Sequence, residues 1–347
     1  METRLLIPTD EVIEYAAALL KQGGLVAFPT ETVYGLGADA LNEKAVLSIF
    51  EAKERPADNP LIVHITERED LLPICILNEK AGRLMDAFWP GPLTLLLKKT
   101  AAVPDVTTAG LDTVAVRMPS HPVARALLKA CGCPVAAPSA NRSGRPSPTR
   151  ASHVLEDMAG RIPLILDGGP CDVGLESTVV DMTRDIPLVL RPGGVTPEML
   201  CTIVGSVETA SSILAPLAPG EAAPSPGMRH RHYAPKGMLT LVSGRPENVI
   251  NACIRLYDES MRDFKPACIL ALSEHIKAYG ARYVRDIGSQ SSPREVAARL
   301  FDVLRSMDRE GITSIFSEVV EADGLGLAIM NRLGRAASFH FFDADKE

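Results

Sequence analysis

The sequence predicts an α/β protein with a large domain on a twisted mixed sheet and a smaller, Rossmann-like α/β domain at the C-terminal end. Two patterns carry this. Through the first two hundred residues short apolar runs recur at close intervals, and only some are separated by segments of helical period, which suits a mixed rather than a purely parallel sheet. Beyond residue 237, strand and helix patterns alternate over about a hundred residues, enough for a small parallel domain. The length of 347 residues fits two domains, placed at 1–205 and 238–347 with a linker at 206–237.

Taken in order, residues 11–22 space their apolar side chains as a helix does, and Gly23-Gly24 stops that helix before a strand at Leu25-Val-Ala-Phe28. Asn42 to Lys53 reads as a helix, Leu61 to Ile65 as a strand and Glu79 to Phe88 as a helix. Further strands are expected at 93–97, 114–117, 135–137, 164–166, 177–181 and 188–191. Residues 206–237 change character, with Pro216, Pro219, Pro224 and Pro226 among Gly and Ser, as linkers do. Strands at 239–242, 267–271, 282–284 and 314–316 then alternate with helices at 249–257, 293–307 and 325–332.

Composition narrows the function. A net charge of −7 argues against a protein that coats nucleic acid by bulk charge. No apolar run approaches the ~18 residues that cross a bilayer, and the opening Met1-Glu-Thr-Arg4 is unlike a signal peptide, so no membrane role and a cytoplasmic location are expected. Seven cysteines include one close pair, Cys131-Gly-Cys133, whose spacing suits neither a zinc knuckle nor a CxxC motif; reduced thiols are expected.

Cations and small polar donors gather in two loop strings, Lys53-Glu-Arg-Pro56 and Ser139-Ala-Asn-Arg-Ser-Gly-Arg-Pro-Ser-Pro-Thr149, the composition of a polyanion pocket. Lys53 and Arg55 would by themselves only offset a helix dipole, but Pro56 and Pro60 stiffen the loop that holds them beside Asn59. No GxxxxGK[ST] loop is present, and Gly35-Leu-Gly37 lacks the third glycine of a dinucleotide fingerprint. His64 on an apolar strand reads by itself as a core histidine. Arg117 closes the apolar strand 114–116 and needs an anion, either a ligand or a carboxylate such as Asp112 or Asp181.

Together, Pro29-Thr-Glu-Thr-Val-Tyr-Gly-Leu36, Lys53-x-Arg55 with Asn59-Pro-Leu61, Pro138-Ser-Ala-Asn-x-Ser-Gly-x-Pro-Ser-Pro-Thr149, Leu175-Glu-Ser-Thr-Val-Val-Asp181, Arg191-Pro-Gly193 and Pro226-Gly-Met-x-x-x-His-Tyr-Ala-Pro235 resemble the threonylcarbamoyl-AMP synthase family, in its long form with a YrdC-like catalytic domain and an extra C-terminal domain. The resemblance implies a nucleotidyltransferase that makes threonylcarbamoyl-AMP and pyrophosphate from L-threonine, bicarbonate and ATP with Mg²⁺, for tRNA threonylcarbamoyladenosine formation completed by other proteins. It implies Arg117, Thr32, His64, the backbone of Ala137 and Ser177 for threonine. It implies Lys53, Arg55, Ser139 and Asn141 as catalytic, and Arg55, Asn59, Thr113, Ser139, Ser147, Arg191 and a lid residue, Tyr233, for ATP, with no protein-held metal. An RNA-binding module using Arg142, Arg145 and Arg150 stays open as an alternative, as does carbamoyl transfer to a partner protein.

Overall fold

A computed structural model describes residues 1–215 and 233–346. These form two compact units: Met1–Ser143 with Ser147–Ile213, and a second comprising residues 144–146, 214–215 and 233–346.

The first unit runs β1 (Arg4–Leu6), α1 (Asp10–Lys21), β2 (Val26–Phe28), β3 (Gly35–Asp39), α2 (Glu43–Lys53), β4 (Ile62–His64), β5 (Cys75–Ile76), α3 (Glu79–Phe88), β6 (Leu93–Lys99), α4 (Asp105–Thr108), β7 (Thr113–Arg117), α5 (Pro122–Cys131), β8 (Val135–Ala136), α6 (Ala151–Met158), β9 (Leu164–Leu166), β10 (Thr178–Asp181), β11 (Leu188–Arg191), α7 (Pro197–Val204) and β12 (Glu208–Thr209). Its sheet has the order β1-β9-β2-β3-β8-β4-β7-β6-β10-β11-β12, with β5 on β6. Parallel pairs such as β4 with β7 are mixed with antiparallel ones such as β6 with β7. β12 extends this unit past the expected boundary at 205, pairing β11 through Glu208 and Thr209.

Helix ends follow the sequence. Thr9 and Asn42 cap α1 and α2 through their side chains, and α2 ends at a left-handed Glu54. On one face, α1 and α5 bury Ile13, Leu20, Leu127 and Leu128 against Val26, Phe28, Val135 and Leu164. Each fully buried side chain of this kind is worth about 1.5–3 kcal/mol. Gly37 is required by that packing, since a Cβ there would meet Phe28 at 2.8 Å and Val135 at 2.9 Å.

In the second unit β13 (Met238–Ser243), α8 (Pro246–Arg262), β14 (Ala267–Ala271), β15 (Val284–Asp286), α9 (Pro293–Arg309), β16 (Ser314–Glu318), α10 (Gly324–Ala336) and β17 (Phe341–Asp343) build a sheet of order β15-β14-β16-β13-β17. All its pairs are parallel. No helix among the described residues is long and apolar enough to cross a membrane.

Candidate active site

β4, β7 and β6 lie side by side, and their register sets His64 and Thr94 on either side of Arg117. Arg117 is almost fully buried. Its Nη1 donates to Thr32 Oγ1 at 2.8 Å and its Nε to Gly91 O at 3.3 Å. The carboxylate beside it is neither Asp112 nor Asp181 but Glu31, whose Oε1 stands 2.7 Å from Nη2. Glu31 Oε2 accepts the Ser120 N–H at 3.1 Å.

Burial works to raise the Glu31 pKa, but the Arg117 charge and the hydrogen bonds it accepts outweigh that and hold its carboxyl below the usual range. The ion pair is close but bent: neither Arg117 Nη2 nor Glu31 Oε1 makes an aligned hydrogen bond. A buried donor and a buried acceptor therefore stand side by side with directed capacity left over, which is costly unless a ligand uses it. An amino acid, with one anionic and one cationic end, has the complementary pair of charges.

Thr32 is positioned by its own loop. Thr30 Oγ1 lies 2.8 Å from Thr32 Oγ1 and donates to Val33 O at 2.7 Å. Tyr34 and Ala140 fasten this loop to the second motif, through Tyr34 N–H to Pro148 O and Ala140 N–H to Tyr34 O, both 2.8 Å. The glycines of this stretch serve strand packing; Gly35 has Ala137 Cβ 3.2 Å from where its own Cβ would be. The Ala137 N–H is spent on Ile62 O at 2.9 Å.

His64 is buried, with Nδ1 3.2 Å from Ile62 O, an acceptor that fixes a proton on that nitrogen. Burial first, then the charge of Arg117, pushes its pKa down to about 3, so the ring is neutral at working pH. The sign follows: between about pH 6.5 and 3 the unfolded chain binds a proton that the folded chain refuses, so stability falls with pH at up to roughly 1.4 kcal/mol per unit. His64→Gln should flatten that slope in urea melts across this range; an unchanged slope would show that other groups set it.

Ser177 is wholly buried, its hydroxyl 2.7 Å from Thr94 Oγ1 and accepting from Arg191 Nη2 at 3.1 Å, while Arg191 Nε donates to Ser177 O at 3.0 Å. Thr94 thus joins Ser177 to the neighbourhood of Arg117.

The phosphate-type motifs meet as well. Lys53 is buried at the end of α2, and its Nζ donates to Ser139 O and, at 2.6 Å, to Asn141 O. Ser143 N–H returns to Lys53 O at 3.1 Å. Arg55 Nη2 closes its own loop on Asn59 O at 3.0 Å, and Asn59 Oδ1 is buried without a hydrogen-bond partner among the described residues. Ser147 donates to the buried Glu176. Thr113 starts the strand that Arg117 ends, roughly 13 Å away, so the two can touch only different parts of an extended ligand.

Tyr233 lies in the second unit, fully buried, with its ring 5.3 Å from Phe301 and beneath the Arg332 guanidinium at 5.8 Å. The rest of the expected lid, Pro226 to His232, falls outside the described residues.

The residues that the sequence reading missed are Glu31, Thr94 and Glu176. Glu31 and Glu176 stand inside quoted motifs, Glu31 as the only carboxylate of Pro29–Leu36 and Glu176 beside Asp181 in Leu175–Asp181, and that was the available signal. Thr94 interrupts an apolar strand with a hydroxyl, a weaker one.

A family described as Telomere recombination, the Sua5/YciO/YrdC domain, matches residues 18–193, and one described as Threonylcarbamoyl-AMP synthase, C-terminal domain, matches 195–338. The threonylcarbamoyl-AMP synthase of Bacillus subtilis is 47% identical over 96% of this chain and 94% of its own length. This chain belongs to the threonylcarbamoyl-AMP synthase family. The crystal structure of Pyrococcus abyssi Sua5 complexed with L-threonine superposes with a TM-score of 0.92 at 44% identity, covering 99% of this chain and 98% of that one. A doubly substituted variant of the same archaeal protein gives 0.93 at 43% identity, covering 98% of each chain.

Proposed function

We propose that this chain makes threonylcarbamoyl-AMP and pyrophosphate from L-threonine, bicarbonate and ATP, a nucleotidyl transfer supplying tRNA threonylcarbamoyladenosine formation in the cytoplasm. The observation that carries the reading is the buried Arg117–Glu31 pair with hydrogen-bonding capacity left over, set between Thr32, His64 and Ser177. Arg117 takes the threonine carboxylate on Nη2. Neutral His64 and Ser177 shape the pocket without adding a charge, and the buried walls keep water from a labile carbamate. The carbamate oxygen attacks the α-phosphorus of ATP and the bond to pyrophosphate breaks. Lys53 and Arg55 supply positive potential to the phosphates, and Ser139, Asn141 and Ser147 supply neutral donors. Thr113 and Arg191 are assigned to other parts of the nucleotide.

Mg²⁺ carried by the phosphates neutralises their charge. Asn59 Oδ1, a buried oxygen without a hydrogen-bond partner among the described residues, in the loop that Arg55 closes, fits such an ion. Asn59 is therefore the residue assigned to it.

Incubating the protein with ATP, Mg²⁺, bicarbonate and single amino acids, then measuring pyrophosphate and the AMP adduct by mass, tests the proposal. An adduct with threonine is expected; pyrophosphate release independent of amino acid would refute it. An RNA titration without ATP tests direct RNA contact through Arg142, Arg145 and Arg150.

The lid reading of Tyr233 needs a control built into its test. Tyr233→Ala should destabilise the second unit by about 3–5 kcal/mol through loss of packing on Phe301. A lid adds a separate effect, a higher ratio of free AMP to intact adduct at temperatures where the variant is folded. An unaltered ratio there would leave Tyr233 a packing residue.

A further inference from the structure

We propose that Cys131 and Cys133 are a reversible dithiol–disulfide couple, a modification site on the first unit that reacts with low-molecular-weight disulfides. The synthase reaction makes no use of either residue. Their sulfurs lie 3.1 Å apart, so a bond requires about 1 Å of closure to the ~2.05 Å of a disulfide. The turn that brings them together is a property of the residue between them. Gly132 caps α5 in the left-handed region at φ 63, with its N–H on Leu128 O at 3.0 Å. A side chain at that position would be strained, whereas glycine lets the chain reverse and both thiols project to one side.

The chemistry of the pair differs from that of the buried Cys75, Cys253 and Cys268. Burial pushes Cys75 up to about 11 and Cys253 and Cys268 to about 12, so these thiols stay protonated and inert. Contact with Cys133 instead brings Cys131 down, because the remaining S–H of the pair donates to the thiolate, and Cys133 is held correspondingly high. Lys21 favours the negative charge and Asp39 opposes it. One proton lies between two sulfurs, and access decides which reacts first. Cys131 is 2% exposed, while Cys133 is partly open to solvent beside the exposed Gly132.

The steps balance with glutathione disulfide as oxidant. When the shared proton sits on Cys131, the more open Cys133 is the thiolate; it forms a bond to one glutathione sulfur and the glutathione S–S bond breaks, releasing one glutathione thiolate. Cys131 then attacks Cys133 Sγ and displaces the second glutathione thiolate. Two protein thiols are oxidised, one glutathione disulfide is reduced to two glutathiones, and both cysteine protons end on them.

The position gives the couple a structural consequence. The bond would tie the last residue of α5 to the segment that opens β8, where Pro134 O holds the Ala40 N–H at 2.9 Å. β8 lies between β3 and β4 and leads directly into Ala137 and Ser139.

The test equilibrates the folded protein in glutathione buffers of graded oxidised-to-reduced ratio, quenches with acid, alkylates and weighs the peptides. The peptide carrying 131–133 should lose two hydrogens and both alkylation sites together, in proportion to the ratio, and recover them with dithiothreitol. Cys131→Ser should stop at a glutathione adduct on Cys133, and Cys133→Ser should leave Cys131 largely unreacted. Both variants should melt within a few degrees of the parent, which keeps a folding defect distinguishable. A persistent glutathione adduct on the parent Cys133, a disulfide joining two chains, or a 131–133 peptide fully alkylated at every ratio would overturn the proposal.

Discussion

Arg117→Ala is expected to abolish threonine binding while ATP still binds. Its guanidinium is buried, its Nη1 is committed to Thr32 and its Nη2 is the donor left over for a carboxylate. Losing a charge-assisted contact in so dry a site costs about 2–5 kcal/mol, roughly thirty- to several-thousand-fold in Kd. The single variant carries a second defect, because Glu31 is then a buried carboxylate with no cation, and breaking a buried pair typically costs about 3–5 kcal/mol of stability.

The double variant Glu31→Gln with Arg117→Gln removes both charges and separates the two effects. It should regain most of the lost stability and none of the threonine affinity. Glu31→Gln on its own leaves Arg117 a buried cation without its carboxylate, so it too should lose stability, and it removes the charge that orients Arg117. Its KM for threonine should rise while the pyrophosphate-forming step with saturating threonine is largely kept. Threonine calorimetry on the three folded proteins is the check. Unchanged affinity in the double variant would show that the pair is structural only.

What the sequence made legible was whatever has a period or a punctuation mark. α1 begins within a residue of expectation and ends before Gly23-Gly24, and α2 is bounded by Asn42 and Lys53 as the pattern implied. α4, α5, α6 and α7 are not among the expected helices. α4 is a single turn, α5 starts at a proline and runs into Cys-Gly-Cys, and α6 and α7 run only eight residues each, too short for apolar periodicity to stand out. β3 is not among the expected strands, because Gly35 and Gly37 carry no strand signal in isolation; packing against Phe28, Val135 and Ala137 makes them strand residues.

The site shows the same division. Arg117 announced itself as a cation at the end of an apolar strand, but its partner lies 86 positions earlier in the chain, in the loop between β2 and β3, and only the fold brings Glu31 to it. A sequence read for local anions offered Asp112 and Asp181. Lys53 reads in the sequence as a cation of the polyanion pocket, but not as a donor to Ser139 and Asn141 across the fold, which only the structure shows.

Lys53→Met is the substitution expected to cost most in turnover. The ammonium holds the carbonyls of Ser139 and Asn141, so it does two things at once: it fixes the loop whose neutral donors are proposed for the phosphates, and it places a buried positive charge behind that loop. Methionine keeps the length and apolar stem but drops both. Turnover should fall by about 10²–10³-fold, the effect of removing one preorganised electrostatic contact, with the dissociation constant for threonine changed by less than about threefold. Lys53→Arg should not rescue it, because a planar guanidinium cannot replace a compact ammonium between two carbonyls this close. A structural role alone predicts the opposite pattern, a lower melting temperature with kcat kept once the protein is folded. Single-turnover pyrophosphate release at saturating threonine, measured below the melting transition, separates the two. Retention of the parent rate in the methionine variant would remove Lys53 from the phosphate site and leave it as the clasp of a loop.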